Sequence, residues 1–324
     1  MARLRDISLA RLTARIEEEP QSFAPYAPPE KNYCRTPGDE ALSNLRRGGG
    51  RVKEINPPPL PNVFLDLQRI VNDPRSTTDD IAAALSKDPG LVTSVLRIAN
   101  SGFYSFLTRV DTVSRAVALI GSREICMLVL GASVLHLFKD CPDKSQFDLK
   151  RFWEHSIACA ALGSIVAGQA GRIDLERCFI AGLLHDIGRM LLCMAEPELA
   201  AETMSAASGL RLPLCMAEQE ILGFDHAELA GIMARKWRFP APLAAAVRYH
   251  HAPENYDEPD IPGVVHLADL IAKALGYSVE LDPILPPLSV QAWNELELHP
   301  DDLDVIVEAL DEELPGYLSA FTDD

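Results

Sequence analysis

A chain of 324 residues, 48% of them hydrophobic, is long enough for about two domains with a substantial core. Its formal net charge of −17 repels nucleic-acid phosphate, and its seven cysteines, odd in number and without a CxxC pair, exclude a disulfide framework. The opening stretch MARLRDISLARLTARIEEEP lacks the apolar segment of a signal peptide, and no apolar run reaches the roughly 18 residues that would span a bilayer. These features predict a cytoplasmic protein with neither a nucleic-acid nor a membrane partner.

Residues 1–56 read as a flexible tail. ISLARLTARIEEE has the spacing of an isolated amphipathic helix, and PYAPPE, RTPGDE and the basic NLRRGGGR are linker chemistry. One short basic patch does not make a nucleic-acid site.

Residues 57–145 read as a first helical part. Val63, Leu67, Ile70 and Val71 recur at helical spacing. STTDD offers a hydroxyl cap and an acidic first turn before IAAALSKD. Asp88-Pro89 places a cap and a first-turn proline ahead of GLVTSVLRIANS. TVSRAVALIG ends at a glycine suited to a helix stop, Gly121, and SREICMLVLGASVLHLF follows.

Residues 146–276 read as a second helical part, entered through CPDKSQFD. Its predicted helices are FWEHSIACAALGSIVAGQAG, LERCFIAGLLHDIGRMLLCMA, AEQEILG, an Asp225-capped DHAELAGIMARKW, PAPLAAAVRYHH and VVHLADLIAKALG. Residues 277–324 form an acidic extension with 13 Asp and Glu and no Lys or Arg, containing one more helix in DDLDVIVEALDEEL. A solvated acidic face or a docking surface for a basic partner both fit it. The fold class is therefore all-α, with two helical subdomains. Cys126, Cys159, Cys178 and Cys193 fall in apolar helices and read as buried free thiols.

Six of the eight histidines fall between Phe152 and Gly276: His155, His185, His226, His250, His251 and His266. His185 and Asp186 stand side by side within an apolar segment, and Asp269 lies in HLADLIA. A buried carboxylate needs a partner, since desolvating its charge costs at least several kcal/mol. Two His and two Asp brought together would offer nitrogen and oxygen ligands to a divalent metal, with iron, manganese or magnesium the best match. A hydrogen-bonded core is the alternative reading of any single one of these histidines.

The order His155, His185-Asp186, Asp269 resembles the H…HD…D pattern of the HD superfamily of metal-dependent phosphohydrolases. The likeness is closer to the HDOD domain, the HD-related output domain of bacterial signalling proteins. LPNVFLDLQRIVNDPRSTTDDIAAALSKDPGLVTSVLRIANSGFY resembles its N-terminal signature, with Asn100, Ser101 and Tyr104 as the NSxxY element. AVALIGSREICMLVL and FDHAELAGIMARKWRFPAPLAAAVRYHH resemble later blocks, so the likeness covers about residues 58–275.

By this resemblance His155, His185, Asp186 and Asp269 are the core metal ligands. His226, His250 and His251 match the extra histidines that HD-GYP phosphodiesterases use for further metals. The chain departs from HD-GYP enzymes in three places. HHAPENYDEP stands where the Gly-Tyr-Pro loop would be, Arg189 replaces a lysine in HDIGR, and Arg151 replaces an acidic residue four before the first histidine.

Two functional readings follow. In one, the chain is a regulatory module that acts through regulatory protein partners, with a metal-bound or vestigial HD site. In the other, it is a metal-dependent phosphohydrolase acting on a nucleotide or phosphodiester. There Arg189 would clamp a phosphate oxygen and His250 or His251 would move the proton. Asn100 and Ser101 read as helix-end caps rather than as catalytic groups.

Overall fold

The computed structural model describes residues 57–100, 104, 106, 108–138, 147–280 and 284–322. The helix expected in ISLARLTARIEEE, the NLRRGGGR patch and Ser101 lie outside them. Among the described residues there are fifteen α-helices, one short 3₁₀ turn and no strand, so the protein is all-α. The chain divides into two units. One is Pro58–Cys141 together with Glu308–Asp324; the described part of the other is Pro57 and the described residues of Pro142–Val307.

In the first unit, α1 (Asn62–Asn72) follows Pro61 and buries Phe64 and Leu67. α2 (Thr78–Leu85) opens on a reciprocal cap. Thr77 Oγ1 accepts from the Asp80 N–H, and the Thr77 N–H donates to Asp80 Oδ2 at 2.8 Å. Asp88 caps α3 (Pro89–Ala99), and Thr112 caps α4 (Val113–Ile120), which stops at Gly121 with φ +112°. α5 (Ser122–Phe138) is largely buried and packs against α1 and α3. The Asn100 side chain ties α3 to Val110. It accepts from the Val110 N–H at 2.7 Å and donates to Val110 O at 2.8 Å and to Leu96 O at 2.6 Å.

In the second unit, α6 (Leu149–Ala170) starts at the Asp148 cap and buries almost every residue from His155 to Ala167. It packs along α7 (Leu175–Leu184), which starts at the Asp174 cap. α8 (Ile187–Ala195), α9 (Pro197–Leu210) and α10 (Leu214–Leu222) follow as neighbours in space. α11 (His226–Lys236) is capped by Asp225 and pairs with α12 (Ala241–Tyr249) and with α8. After the 3₁₀ turn Pro253–Asn255, α13 (Asp260–Ala274) lies against α6, α7 and α12. α14 (Val290–Glu295) and α15 (Asp302–Thr322) complete the chain, with α15 passing from the second unit into the first.

Three expectations need correction. LERCFIAGLLHDIGRMLLCMA is two helices, not one, because the chain leaves α7 at His185 and restarts after Asp186. Asp186 has φ −91° and ψ 7° and makes no cap hydrogen bond, its carboxylate being committed to the interior. α15 does not stop at Leu314 but runs through Pro315, and the buried Tyr317 and Ala320 anchor the turns beyond the proline. Leu175–Ala195 is long and apolar enough to cross a membrane, but 89% of its apolar window is buried inside the protein and it is broken in the middle. It is core. α4 and α5 reach that length and apolarity only together, across a bend of 119°.

Candidate metal centre

Close backbone packing brings the polar residues together. A Cβ added to Gly182 would stand 2.4 Å from Cys159 O, and one added to Gly163 would stand 2.6 Å from Cys178 O. These reciprocal glycines let α6 and α7 touch backbone to backbone. His185, at the end of α7, thereby meets His155 of α6 with ring centroids 5.2 Å apart. α8 approaches α11 in the same way, since a Cβ on Gly188 would fall 1.9 Å from His226 O. That contact delivers His226. The end of α12 supplies His250 and His251, and α13 supplies Asp269.

The seven candidate ligands form one connected cluster. Asp269 Oδ1 lies 3.2 Å from His155 Nε2 and 3.6 Å from His185 Nε2. Asp186 Oδ1 lies 3.5 Å from His185 Nε2, 3.0 Å from His226 Nε2 and 3.8 Å from His250 Nε2. Asp186 Oδ2 lies 3.6 Å from His155 Nε2. His251 Nε2 joins through His226 Nε2 at 2.8 Å. All but His251 are buried; His251 is partly exposed.

The far side of each ring fixes its tautomer. His155 Nδ1 contacts Tyr277 O at 2.8 Å, His185 Nδ1 contacts Gly182 O at 2.7 Å and His250 Nδ1 contacts Val247 O at 3.0 Å. A carbonyl only accepts, so each Nδ1 carries a hydrogen and each ring turns its Nε2 inward. His226 Nδ1 instead faces Glu218 Oε2, which also accepts the His226 backbone N–H at 2.9 Å. Imidazoles oriented from behind by carbonyls and a carboxylate are what a metal centre requires of its outer partners.

The fit to a metal can be judged from the atoms left over. His185 Nε2, His250 Nε2, Asp186 Oδ1 and Asp269 Oδ1 are buried and have no hydrogen-bond partner. An orphaned buried polar atom costs about 1–3 kcal/mol, more when charged. Lone pairs and carboxylate oxygens cannot satisfy one another, whereas a divalent cation takes electron pairs from both. Three overlapping ligand groups fit this demand: His155, Cys159, His185 and Asp269; His185, Asp186 and His250; and His226, His250 and His251. The nitrogen and oxygen donors are ones that divalent metals take.

Charge inside the cluster is partly compensated by the protein. Arg189 Nη1 donates to Asp186 Oδ2 at 3.0 Å, and Lys273 Nζ donates to Asp269 Oδ2 at 2.7 Å. Burial alone would raise both Asp pKa values. His185, His226 and Arg189 outweigh it at Asp186, as Lys273 and the histidines do at Asp269, and both carboxyls stay well below their ordinary range. Burial would depress His226, but without a metal Glu218 and Asp186 hold it up at about 10, and its Nε2 must give up that proton to become a ligand. Burial, then the neighbouring histidines, push His250 and His251 well below the usual imidazole value, so both are neutral.

Some residues have functions their sequence positions did not announce. Glu218 and Lys273 complete the cluster. Glu280 accepts a hydrogen bond from Arg189 Nη2, so Arg189 is bridged between two carboxylates rather than open. The only sequence signal for any of them is the i, i+4 spacing of Asp269 and Lys273. Arg151, four before His155, donates to backbone carbonyls of Ser278 and Glu280. His266 is a strut: its Nδ1 donates to His250 O at 2.7 Å and its Nε2 accepts from the Ser289 N–H at 2.9 Å. Cys159 Sγ is nearly equidistant from the two ring nitrogens of His155, at 3.8 and 3.7 Å, and so lies off the lone-pair axis of both.

An all-helical fold enclosing a histidine/aspartate cluster of this order defines an HD-type protein. The family model of the HDOD domain matches residues 58–253, and the chain belongs to that family. An uncharacterized protein of Treponema pallidum (strain Nichols) is 26% identical over 211 residues, which is 64% of this chain. The matched region spans only 40% of that relative's length. An HDOD domain protein of unknown function from Geobacter sulfurreducens superposes with a TM-score of 0.68 at 23% identity, covering 88% of this chain and 98% of its own. A Shewanella amazonensis SB2B protein, provisionally described as a phosphohydrolase, gives 0.65 at 26% identity, again covering 88% and 98%.

Proposed function

We propose that the chain is a bacterial, cytoplasmic signal-transduction module of the HDOD type whose HD cluster binds a divalent metal and which acts through regulatory protein partners. The observation that carries the metal is the set of four orphaned, buried atoms on His185, Asp186, His250 and Asp269. Membership of the HDOD family supports the regulatory role. So does the chemistry around the cluster, because Arg189 and Lys273, the cations a substrate would need, are both engaged by carboxylates.

The test is metal content by mass spectrometry on tag-free protein, beside a His185→Ala, Asp186→Ala double variant. Near-stoichiometric iron or manganese in the wild type, lost in the variant, is the expected result. No metal after reloading would make the cluster a hydrogen-bonded core and end the metal reading.

A second reading, a metal-dependent phosphohydrolase, is favoured by the neutral, partly exposed His251. When bound, a metal in such a site lowers the pKa of a coordinated water. His155, His185, Asp186 and Asp269 would hold the first ion, with His226, His250 and His251 available for another. Arg189 would then orient a phosphoryl oxygen, and His251, where it is not itself a ligand, would accept a proton at Nδ1, which is buried without a partner.

A further inference from the structure

The segment after α13 closes over the cluster with an anionic side chain. Gly276 turns the chain with φ +89°, and the next four residues are tied down one by one. Tyr277 O accepts from His155 Nδ1 at 2.8 Å. Ser278 O accepts from Arg151 Nε at 3.0 Å and Nη2 at 2.8 Å, and Glu280 O accepts from Arg151 Nη2 at 3.2 Å. Val279 is buried. This strap aims the Glu280 carboxylate at Arg189. One oxygen accepts from Arg189 Nη2 and the other from Ser278 Oγ at 2.7 Å.

The order from inside to outside is Asp186, Arg189, Glu280. The Asp186 side chain is 1% exposed, that of Arg189 3% and that of Glu280 26%. Glu280 is therefore the only member of this chain of charges that meets solvent. A guanidinium fork matches a carboxylate and a phosphate equally well. Glu280 also shares its charge with Lys273, and Arg189 and Lys273 together hold the Glu280 carboxyl down at about 2, against the effect of burial. Four carboxylates, Asp186, Glu218, Asp269 and Glu280, thus act on the fixed cations Arg189 and Lys273. Exchanging Glu280 for a singly charged phosphate group would leave that balance unchanged.

We infer that Arg189, backed by Lys273, forms an oxyanion-binding site for a phosphate-bearing ligand, and that Glu280 on the Tyr277–Glu280 strap is its resident, displaceable occupant. The inference deepens the phosphate-directed reading of the same centre, yet it needs no metal to be tested. Displacement of Glu280 frees the carboxylate end of a strap whose other end is hydrogen-bonded to His155. A ligand at Arg189 would therefore be felt by a cluster residue.

The experiment is calorimetric titration of the full chain with inorganic phosphate and with the phosphodiester bis(4-nitrophenyl) phosphate, each with and without manganese. Wild type, Glu280→Gln and Glu280→Asp are compared. Removing the competing charge in Glu280→Gln should tighten binding of at least one probe by roughly tenfold or more, and the shorter Glu280→Asp should fall between. A further Arg189→Lys change on Glu280→Gln should abolish most of the gain; circular dichroism and thermal melting confirm that each variant is folded. Equal affinity in wild type and a folded Glu280→Gln, in both metal conditions, would overturn the inference. So would a gain that survives Arg189→Lys. A protein that holds no manganese but gains phosphate affinity in Glu280→Gln would leave the oxyanion site standing independently of the metal reading.

Discussion

Glu218 holds His226 twice through one oxygen, its Oε2 accepting both the backbone N–H and the ring Nδ1–H of that histidine. Neither group can swing without breaking the other contact, so Nε2 is aimed at Asp186 by a carboxylate eight residues away in sequence. Loss of an outer partner of this kind lowers metal affinity about 10–100-fold. Glu218→Gln should therefore weaken metal binding by that factor while leaving the helical content unchanged. Competition against a chelator of known affinity measures it, and unchanged affinity would show that His226 is not a ligand.

The glycines between α6 and α7 are the mechanical basis of the site. Gly182→Ala sets a methyl 2.4 Å from a backbone carbonyl, and neither helix can yield without moving His155 from His185. The cost should be about 1–3 kcal/mol or more in urea denaturation, with metal affinity reduced in parallel. Gly209, in α9, has open space around its Cβ position. Gly209→Ala should instead stabilise by about 0.5–1 kcal/mol. A neutral Gly182→Ala would mean the helices are further apart than described.

Asn100 was expected to cap a helix end, and it also staples Val110. Val110 is buried, so Asn100→Ala leaves its N–H and C=O unpaired, a loss of about 1–3 kcal/mol. Asn100→Asp keeps an acceptor for the Val110 N–H but turns a charge toward two carbonyls, and should be no better. Chemical denaturation of both variants checks this.

Burial raises the Cys126 thiol to about 12. Near pH 8 only about one molecule in ten thousand would carry the reactive thiolate. Alkylation of the folded protein should therefore spare Cys126 at that pH and speed up about tenfold per pH unit as pH rises toward the pKa. Peptide mass spectrometry after iodoacetamide treatment reads this out, with urea-unfolded protein as the fully labelled control. Fast labelling in the folded state would place α5 nearer solvent.

The helix starts were legible wherever a local side chain makes the cap. Thr77, Asp88 and Asp225 cap as their positions announce, and Gly121, Gly171 and Gly223 end helices with positive φ. The break at His185-Asp186 is not made by a local cap: Asp186 forms no cap hydrogen bond, and the interior polar cluster decides. The same holds for Pro315, where burial of Tyr317 overrides a residue that normally ends a helix. The candidate ligands were legible because an Asp among apolar neighbours needs a reason. Glu218 and Glu280 were not, since a Glu in a polar helix or in an acidic tail looks like solvent-facing charge until the fold brings it to a histidine or an arginine.

The division of α15 bears on the order of biosynthesis. Leu310, Leu314 and Tyr317 belong to the same unit as Pro58–Cys141, yet the ribosome adds them only after all of Pro142–Val307. The nascent α1–α5 segment must wait, incompletely covered, while the entire histidine-bearing unit is synthesised and able to fold. Chaperone binding during translation should therefore concentrate on α1–α5.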